Sequence, residues 1–507
     1  MVLRSALLFA VAVFVFARSP VHAVNPCVSR RIPGSDVKIV CVCNATYCDE
    51  ITPLGELADG QAALYLTTKE GKRLEKLLMR FQPAERNEQA VTIRIDPTIT
   101  YQKILGFGGA FTDAFGVNMN RLTPDARNLL LQQYYGENGI GYTLGRVPIA
   151  SCDFSTRIYS YVDQANDFDL ATFKLAPEDL QAKIPYLIQA LNLTGGELKL
   201  FASPWSAPGW MKTSGRMKGG GTLKGQTNGS YYHSYAQYIV KFFQEYANHG
   251  VLFWGLTTQN EPSSGLIPWY GWQTMWYSPQ EQRDFITNFL GPFLRDTNVT
   301  SQLKVMINDD NLFMLPWYPS NILDNPTAAS FVDGVAIHWY MSDIVGREGL
   351  NKQHERHPDK FILSTEACTG AEWFNSGPNL GDWSRGSRYA RDIIAVLVRW
   401  VVGWVDWNLA LDTEGGPNWA HNFVDSPIIV NATAGEWYKQ PMFYVLAHFS
   451  KFAIAFTTPS NQRVLVVHND DSKAVDLVVK DPAESGVLNF EVPADSIVTF
   501  VWNKRKN

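Results

Sequence analysis

The sequence predicts an α/β protein built on a (β/α)8 barrel, with a discontinuous all-β domain and a small disulfide-bonded β module attached. Three observations carry that prediction. Eight short apolar runs alternate with helical segments over roughly 300 residues, the pattern of parallel strands wrapped by their crossover helices. Apolar and polar residues alternate strictly before and after that stretch, the period of half-buried strands. Four cysteines crowd together between Cys27 and Cys48, while Cys152 and Cys368 stand apart.

Taken in order, the chain opens with Arg4 before an apolar stretch over 5–17 and small residues at Val21 and Ala23, which predicts a cleaved signal peptide over 1–23. No later run approaches the ~20 apolar residues of a spanning helix. Export favours disulfides over zinc for the cysteine cluster, which has no Cys-x-x-Cys; four cysteines allow three pairings, and their spacing does not choose among them. Asn44, Asn192, Asn228, Asn298 and Asn431 each begin an Asn-x-Ser/Thr acceptor and are expected at the surface of a secreted or lysosomal glycoprotein. Strands are expected over 61–67 and 91–95. The barrel strands follow at 104–107, 142–146, 198–202, 253–257, 304–307, 334–337, 361–364 and 401–405. Between them, Thr123-Pro124-Asp125 caps one helix, and Leu180, Ile184, Leu187 and Leu191 stripe a second. Tyr235, Ile239, Phe242, Phe243 and Tyr246 stripe a third that Gly250 ends, and Ser278 with Glu281 forms a capping box for a fourth. Gly219-Gly220-Gly221 reads as a flexible loop. Strand signal returns over 463–468, 474–479 and 497–502, a tail too short for its own sandwich, which should pair with the β segment before the barrel.

Two strands end on a glutamate: Asn260-Glu261-Pro262 closes the fourth and Glu366 the seventh. A carboxylic acid at the carboxyl end of a buried strand is costly to hide and lies where barrels keep their chemistry. Two of them at one mouth suit glycoside cleavage, in which one carboxyl protonates the leaving oxygen and the other meets the oxocarbenium-like carbon. Asn260 suits a bond to a sugar 2-hydroxyl. Arg146 follows the second strand and would hold a nucleophile ionised, with a structural ion pair as the alternative. Asp153 would accept from sugar hydroxyls, Trp205 would stack on a ring, and His338 would orient a carboxylate. Aromatic residues make up 13% of the chain, and the formal charge of −5 with a pI near 6.0 gives nucleic acid no basic surface to bind. Asp309-Asp310 lacks the spacing of a calcium loop.

The chain resembles the lysosomal glucosylceramidases of glycoside hydrolase family 30. The resemblance rests on Gly106-Phe-Gly-Gly-Ala110, Arg146-Val-Pro-Ile-Ala-Ser-Cys-Asp-Phe154, Ser203-Pro-Trp205, Gln259-Asn-Glu-Pro262, Thr365-Glu-Ala-Cys368, Gly403-Trp-Val-Asp-Trp-Asn-Leu409, Gly415-Gly-Pro-Asn-Trp419 and Tyr438-Lys-Gln-Pro-Met-Phe-Tyr444. It implies Glu261 as acid/base and Glu366 as nucleophile. Glucose would be held by Asp153, Trp205, Asn260, Trp407 and Asn422, with Tyr340 near the nucleophile. Trp269, Tyr270, Trp272, Trp276 and Tyr277 would wall the ceramide side. It implies disulfides Cys27–Cys41 and Cys43–Cys48, and hydrolysis without metal or organic cofactor. Expected partners are glucosylceramide in membranes, a saposin-type activator, anionic lipid and a lysosomal sorting receptor. Other family-30 glycosidases, or a non-catalytic glycolipid carrier, are the alternatives. The chain would then divide into a three-stranded module (24–54 plus 409–440), a sandwich-like domain (55–101 plus 457–507) and the barrel (102–408 plus 441–456). Between 452 and 480 it is about twenty residues shorter than the family pattern, which predicts an unpaired sheet edge.

Overall fold

The eight apolar runs close on one another. In the computed structural model, which describes residues 24–35, 37–83, 88–372, 375–452 and 462–504, they form a parallel barrel. Its strands are β1 (Gly106–Ala110), β2 (Leu144–Ile149), β3 (Lys199–Pro204), β4 (Gly255–Thr257), β5 (Lys304–Asn311), β6 (Gly334–His338), β7 (Phe361–Glu366) and β8 (Val401–Asn408), and β8 returns to pair with β1. These runs are apolar throughout because a parallel strand is covered on both faces, by the barrel interior and by helices. Leu144, Phe201, Met306, Ala336, Leu363, Val402 and Val405 pack together in one buried cluster. At Gly108 the neighbouring strand comes so close that a Cβ would sit 2.0 Å from the Leu144 carbonyl oxygen. The expected signal peptide over 1–23 lies outside the described residues.

The helices start where their caps say. Thr123 accepts from the Ala126 N–H at the head of Pro124–Tyr135, and Ser278 and Glu281 form both bonds of a capping box before Pro279–Phe285. Helix Ser230–Asn248 ends with Gly250 in the left-handed region at φ +81°. The second stripe is only partly right. A π-helical turn over Asp179–Lys183 precedes helix Ile184–Leu193, shifts the register, and leaves Leu180 exposed.

The tail does pair with the segment before the barrel. Ser496–Asn503 lies antiparallel between Gln61–Thr68 and Gln462–Asn469, with Glu75–Arg80 at the far edge. A second sheet sets Val475–Lys480 between Val91–Arg94 and Val487–Val492. Alternate residues Ala62, Leu64, Leu66, Val498, Phe500 and Trp502 face Leu477, Val479 and Leu488 to form the sandwich core. Among the described residues, Gln462–Asn469 is an edge strand paired on one side only; Ser387 and Arg391 of helix Trp383–Leu397 reach its end through His468 and Asp470. Residues 453–461, part of the stretch between 452 and 480 where the shortening is expected, lie outside the described residues.

Among the described residues the small module has five strands where three are expected. Ser29–Arg31 and the two-residue Leu411–Asp412 join Ile39–Asn44, Glu436–Lys439 and Ile428–Asn431, and both are too short and too polar or isolated to register as strands in a sequence. Cys27–Cys41 and Cys43–Cys48 are bonded. Asn192, Asn228 and Asn298 are exposed, whereas Asn44 and Asn431 are half-buried, with side chains engaged in local turns.

Candidate active site

Every barrel strand from β2 to β8 contributes to one cluster at its carboxyl end. Strand β5 does so through a bulge: Asn308 and Asp309 take φ +75° and +48°, and the register against β6 slips by one residue there. The slip turns Asp309 into the barrel, where its carboxylate accepts from Arg146 Nη2 (2.8 Å), Thr257 Oγ1 (2.6 Å), Thr365 Oγ1 (2.6 Å) and His338 Nε2 (3.2 Å). Burial opposes its charge, but the Arg146 guanidinium and His338 outweigh burial and hold the carboxyl well below the usual range.

Arg146, on β2, is wholly buried and divides its donors among four partners: Glu366 Oε2, Asp309, Asn260 Oδ1 (2.8 Å) and Ser203 Oγ (3.1 Å). The other oxygen of Glu366 accepts from the Tyr340 hydroxyl at 2.7 Å. Both oxygens of this carboxylate are thus fixed, one by a guanidinium and one by a phenol. Arg146 takes the Asn260 carbonyl oxygen, and among the described residues no bond from the Asn260 amide nitrogen occupies its donors.

Glu261 does not close β4, which ends at Thr257, but lies four residues into the following loop in the left-handed region, φ +40°, an unfavourable conformation for a side chain with a Cβ. Its N–H donates to the Asp309 carbonyl (2.8 Å), and Asp310 pins the following turn by accepting from Ser263 N (2.8 Å) and Oγ (3.0 Å). Burial, then the charge of Glu261, push the Asp310 carboxyl up to about 6. His338 stands between Glu261 Oε1 (3.0 Å from Nδ1) and Asp309. Burial opposes its charge, but Glu366, Asp309 and Glu261 push its pKa up to about 10, so both ring nitrogens donate. Carboxylate oxygens of Glu261 and Glu366 and a nitrogen of His338 lie within 4.8 Å of one another. His338 Nδ1 holds Glu261 Oε1, so the three groups form a compact charge cluster joined in part by hydrogen bonds.

Trp205 and Trp407 stack at 5.1 Å beneath the pair, with the Arg146 guanidinium 4.9 Å and 5.4 Å from their rings. Asp153 sits beside them and accepts from Asn422 Nδ2 at 2.9 Å. Burial pushes its carboxyl up to about 7, helped by Glu366 and opposed by Asn422. Trp272 packs against the same cluster, with Tyr270 edge-on to it at 4.7 Å.

The structure therefore gathers Arg146, Asp153, Trp205, Asn260, Glu261, Tyr270, Trp272, Tyr340, Glu366, Trp407 and Asn422 at one mouth. The aromatic wall is shorter than expected. Trp269 is 83% exposed, but Tyr277 is wholly buried on Phe285 and Trp276 packs against Tyr318. The chain turns inward between them because Gln273 donates to Ser151 Oγ and the Cys152 carbonyl. Sequence reasoning also missed Asp309, Asp310, Thr257, Thr365 and Ser203. Two consecutive acids at the end of an apolar strand were the available signal.

The chain is similar to known proteins along most of its length. The glycosyl hydrolase family 30 TIM-barrel domain matches residues 104–453, and the beta sandwich domain of the same family matches residues 452–500. The chain is 46% identical to a Caenorhabditis elegans protein named "Putative glucosylceramidase 4", covering 94% of this chain and 96% of that one. It is 41% identical to the lysosomal acid glucosylceramidase of Mus musculus, covering 96% and 97%. Among solved structures, the endo-β1,6-glucanase BT3312 superposes with a TM-score of 0.76 at 25% identity, covering 88% of this chain and all of that one.

Proposed function

The chain belongs to glycosyl hydrolase family 30, and we propose that within it this protein is a retaining β-glucosidase that releases glucose from glucosylceramide at a membrane surface in an acidic lumen. The observation that carries the reading is the carboxylate pair. Oxygens of Glu261 and Glu366 lie within 4.8 Å of each other, which favours the close pairing of retaining enzymes (~5–5.5 Å) over the ~6.5–9.5 Å spacing of inverting ones.

In this reading Glu366 attacks the anomeric carbon while Glu261 gives its proton to the departing oxygen, and a glycosyl ester forms on Glu366. Glu261, now a carboxylate, takes a proton from water, whose oxygen attacks the same carbon and frees the ester. Arg146 and Tyr340 aim the nucleophile. Asn260 offers its N–H to the 2-hydroxyl, and Asp153 with Asn422 holds hydroxyls farther round a ring that rests on Trp205 and Trp407.

Two further observations favour a lipid leaving group over a glucan. The two glucosylceramidase relatives match at 41–46% identity over nearly the whole chain, against 32% over 73% for an endo-1,6-β-glucanase of Neurospora crassa. The loops after β4, β5 and β6 also expose large apolar side chains on one side of the mouth, among them Leu266 (60%), Trp269 (83%), Trp317 (54%) and Ile344 (77%). Such an apolar rim suits an amphiphile presented at an interface. A saposin-type activator, anionic lipid and a lysosomal sorting receptor belong to the same proposal. Among the described residues no helix is long and apolar enough to cross a membrane.

Incubation with 2-deoxy-2-fluoro-β-glucosyl fluoride tests the reading. One fluoroglucosyl unit on the peptide containing Glu366 is expected, together with faster turnover of glucosylceramide in vesicles than of β-1,6-glucan. A folded protein that takes no label, or prefers the glucan, overturns it.

A further inference from the structure

Lys212 lies in the loop after β3 and is wholly buried, yet among the described residues no carboxylate is bonded to it. Its ammonium donates to three backbone carbonyls: Met217 (3.0 Å) and Gly219 (2.8 Å) of its own loop, and Thr274 (2.5 Å) of the loop after β4. A buried cation without a counter-ion is costly: burial lowers its pKa from 10.5 to about 7, so the amine carries its third proton in acid, and an apolar side chain would fill the space at less expense. What the ammonium alone supplies is three donors converging at one point, enough to satisfy carbonyls from both loops.

Around that point the loops are sewn edge to edge. Gly219 N donates to the Trp272 carbonyl (2.9 Å), Gly220 N to Ile267 (3.0 Å), Gly221 N to Gly265 (3.1 Å), and Trp276 N to Gly221 (2.9 Å). The approach depends on the glycines. A Cβ on Gly220 would sit 2.4 Å from the Gly265 oxygen and 2.8 Å from that of Ile267, while Gly219 takes φ +77°. The triglycine predicted to be a flexible loop is thus a packed seam, buried at Gly219 and Gly220.

We propose that Lys212 is a positioning residue for the leaving-group side of the site: its ammonium locks the loop that holds Glu261 and carries Tyr270 and Trp272 against the loop before it. Lys212 does not touch the sugar. It fixes the backbone from which the wall hangs, and so sets how well an extended leaving group is held, an inference that rests on the glucosidase reading above.

The test uses n-alkyl β-glucosides from methyl to octyl, which probe the wall whatever the natural lipid is. In the wild type kcat/KM should climb with chain length. In Lys212→Met that gain should shrink by about tenfold, chiefly through KM. Labelling by the fluoroglucosyl fluoride, whose leaving group spans no wall, should slow far less. Propylammonium should restore the gain in Lys212→Ala. Gly220→Ala opens the seam from its other side with the ammonium intact and should reproduce the Lys212→Met pattern, which keeps the test alive if the lysine variants do not fold. Equal losses for short and long glucosides, or an undiminished gain in folded Lys212→Met and Gly220→Ala, overturn the inference. A wild type that labels but gains nothing from a longer chain overturns it too, while leaving the retaining mechanism intact. A wild type that takes no label overturns the glucosidase reading and this inference with it.

Discussion

At Asp309 four donors converge on one carboxylate, and two of them, Arg146 and His338, pass its influence to Glu366 and Glu261. Asp309→Asn would turn an acceptor into a donor opposite Arg146. Breaking a buried pair in this way costs about 3–5 kcal/mol, which chemical denaturation would read. Because the same change frees both His338 and Arg146, kcat should also fall by about 100-fold, the size of a lost preorganised contact. A fully active Asp309→Asn would show that the cluster is structural only. Glu261→Gln separates the two glutamates: it should still accept substrates with very good leaving groups, stall at deglycosylation, and be rescued by azide. No rescue in a folded protein would remove Glu261 from the acid/base role. Both glutamates were legible in the sequence because each lies a few polar residues after an apolar run. Asp309 was not, because a bulge decides which of two adjacent acids points inward.

Elements were read well where local signals agree and less well where one residue changes the phase. Ser278, Pro279 and Glu281 announce their helix unambiguously, and the capping box forms. Ser278→Ala should cost about 1 kcal/mol of stability, measurable as a lowered denaturation midpoint, with catalysis at low temperature unchanged. A midpoint within error of the wild type would mean that tertiary packing alone holds that helix. The stripe containing Leu180 failed for the opposite reason. A π-turn adds one residue to the turn, so spacing that looks periodic in the chain is out of phase in space. The same kind of slip in β5 is what makes the site.

For the molecule as a whole, the buried charges set a pH window. Asp153 and Asp310 have carboxyls raised from 3.8 to about 7 and about 6, so the folded state prefers them protonated, and the stability this gives is lost as pH rises through those values. The His338 contribution, with its pKa raised from 6.5 to about 10, is complete below 6.5 and gone above 10. Asp309 acts in the other direction: its depressed carboxyl stabilises the fold above the ordinary carboxylate range and ceases to do so in strong acid. Two other buried groups oppose this: burial lowers His448 from 6.5 to about 3 and Lys212 from 10.5 to about 7, and stability from each rises with pH across those ranges. The melting temperature should therefore peak in mild acid and decline only shallowly toward pH 9. Asp153→Asn should flatten the decline between pH 4 and 7. A melting temperature that rises steadily to pH 9 would contradict the assignment of these charges.

The sequence by itself determined the barrel, the two glutamates at its mouth, the capped helices and the return of the tail to the first β segment. Each of these is written in local periodicity or in a residue's place at the end of a strand. Tertiary structure alone decided that Glu261 and Glu366 come within 4.8 Å, that Tyr277 is core while Trp269 faces solvent, and that a triglycine and a buried lysine join two loops. Those outcomes depend on bulges, close backbone approach and hydrogen bonds between segments far apart in the chain, and such contacts exist only once the barrel has closed.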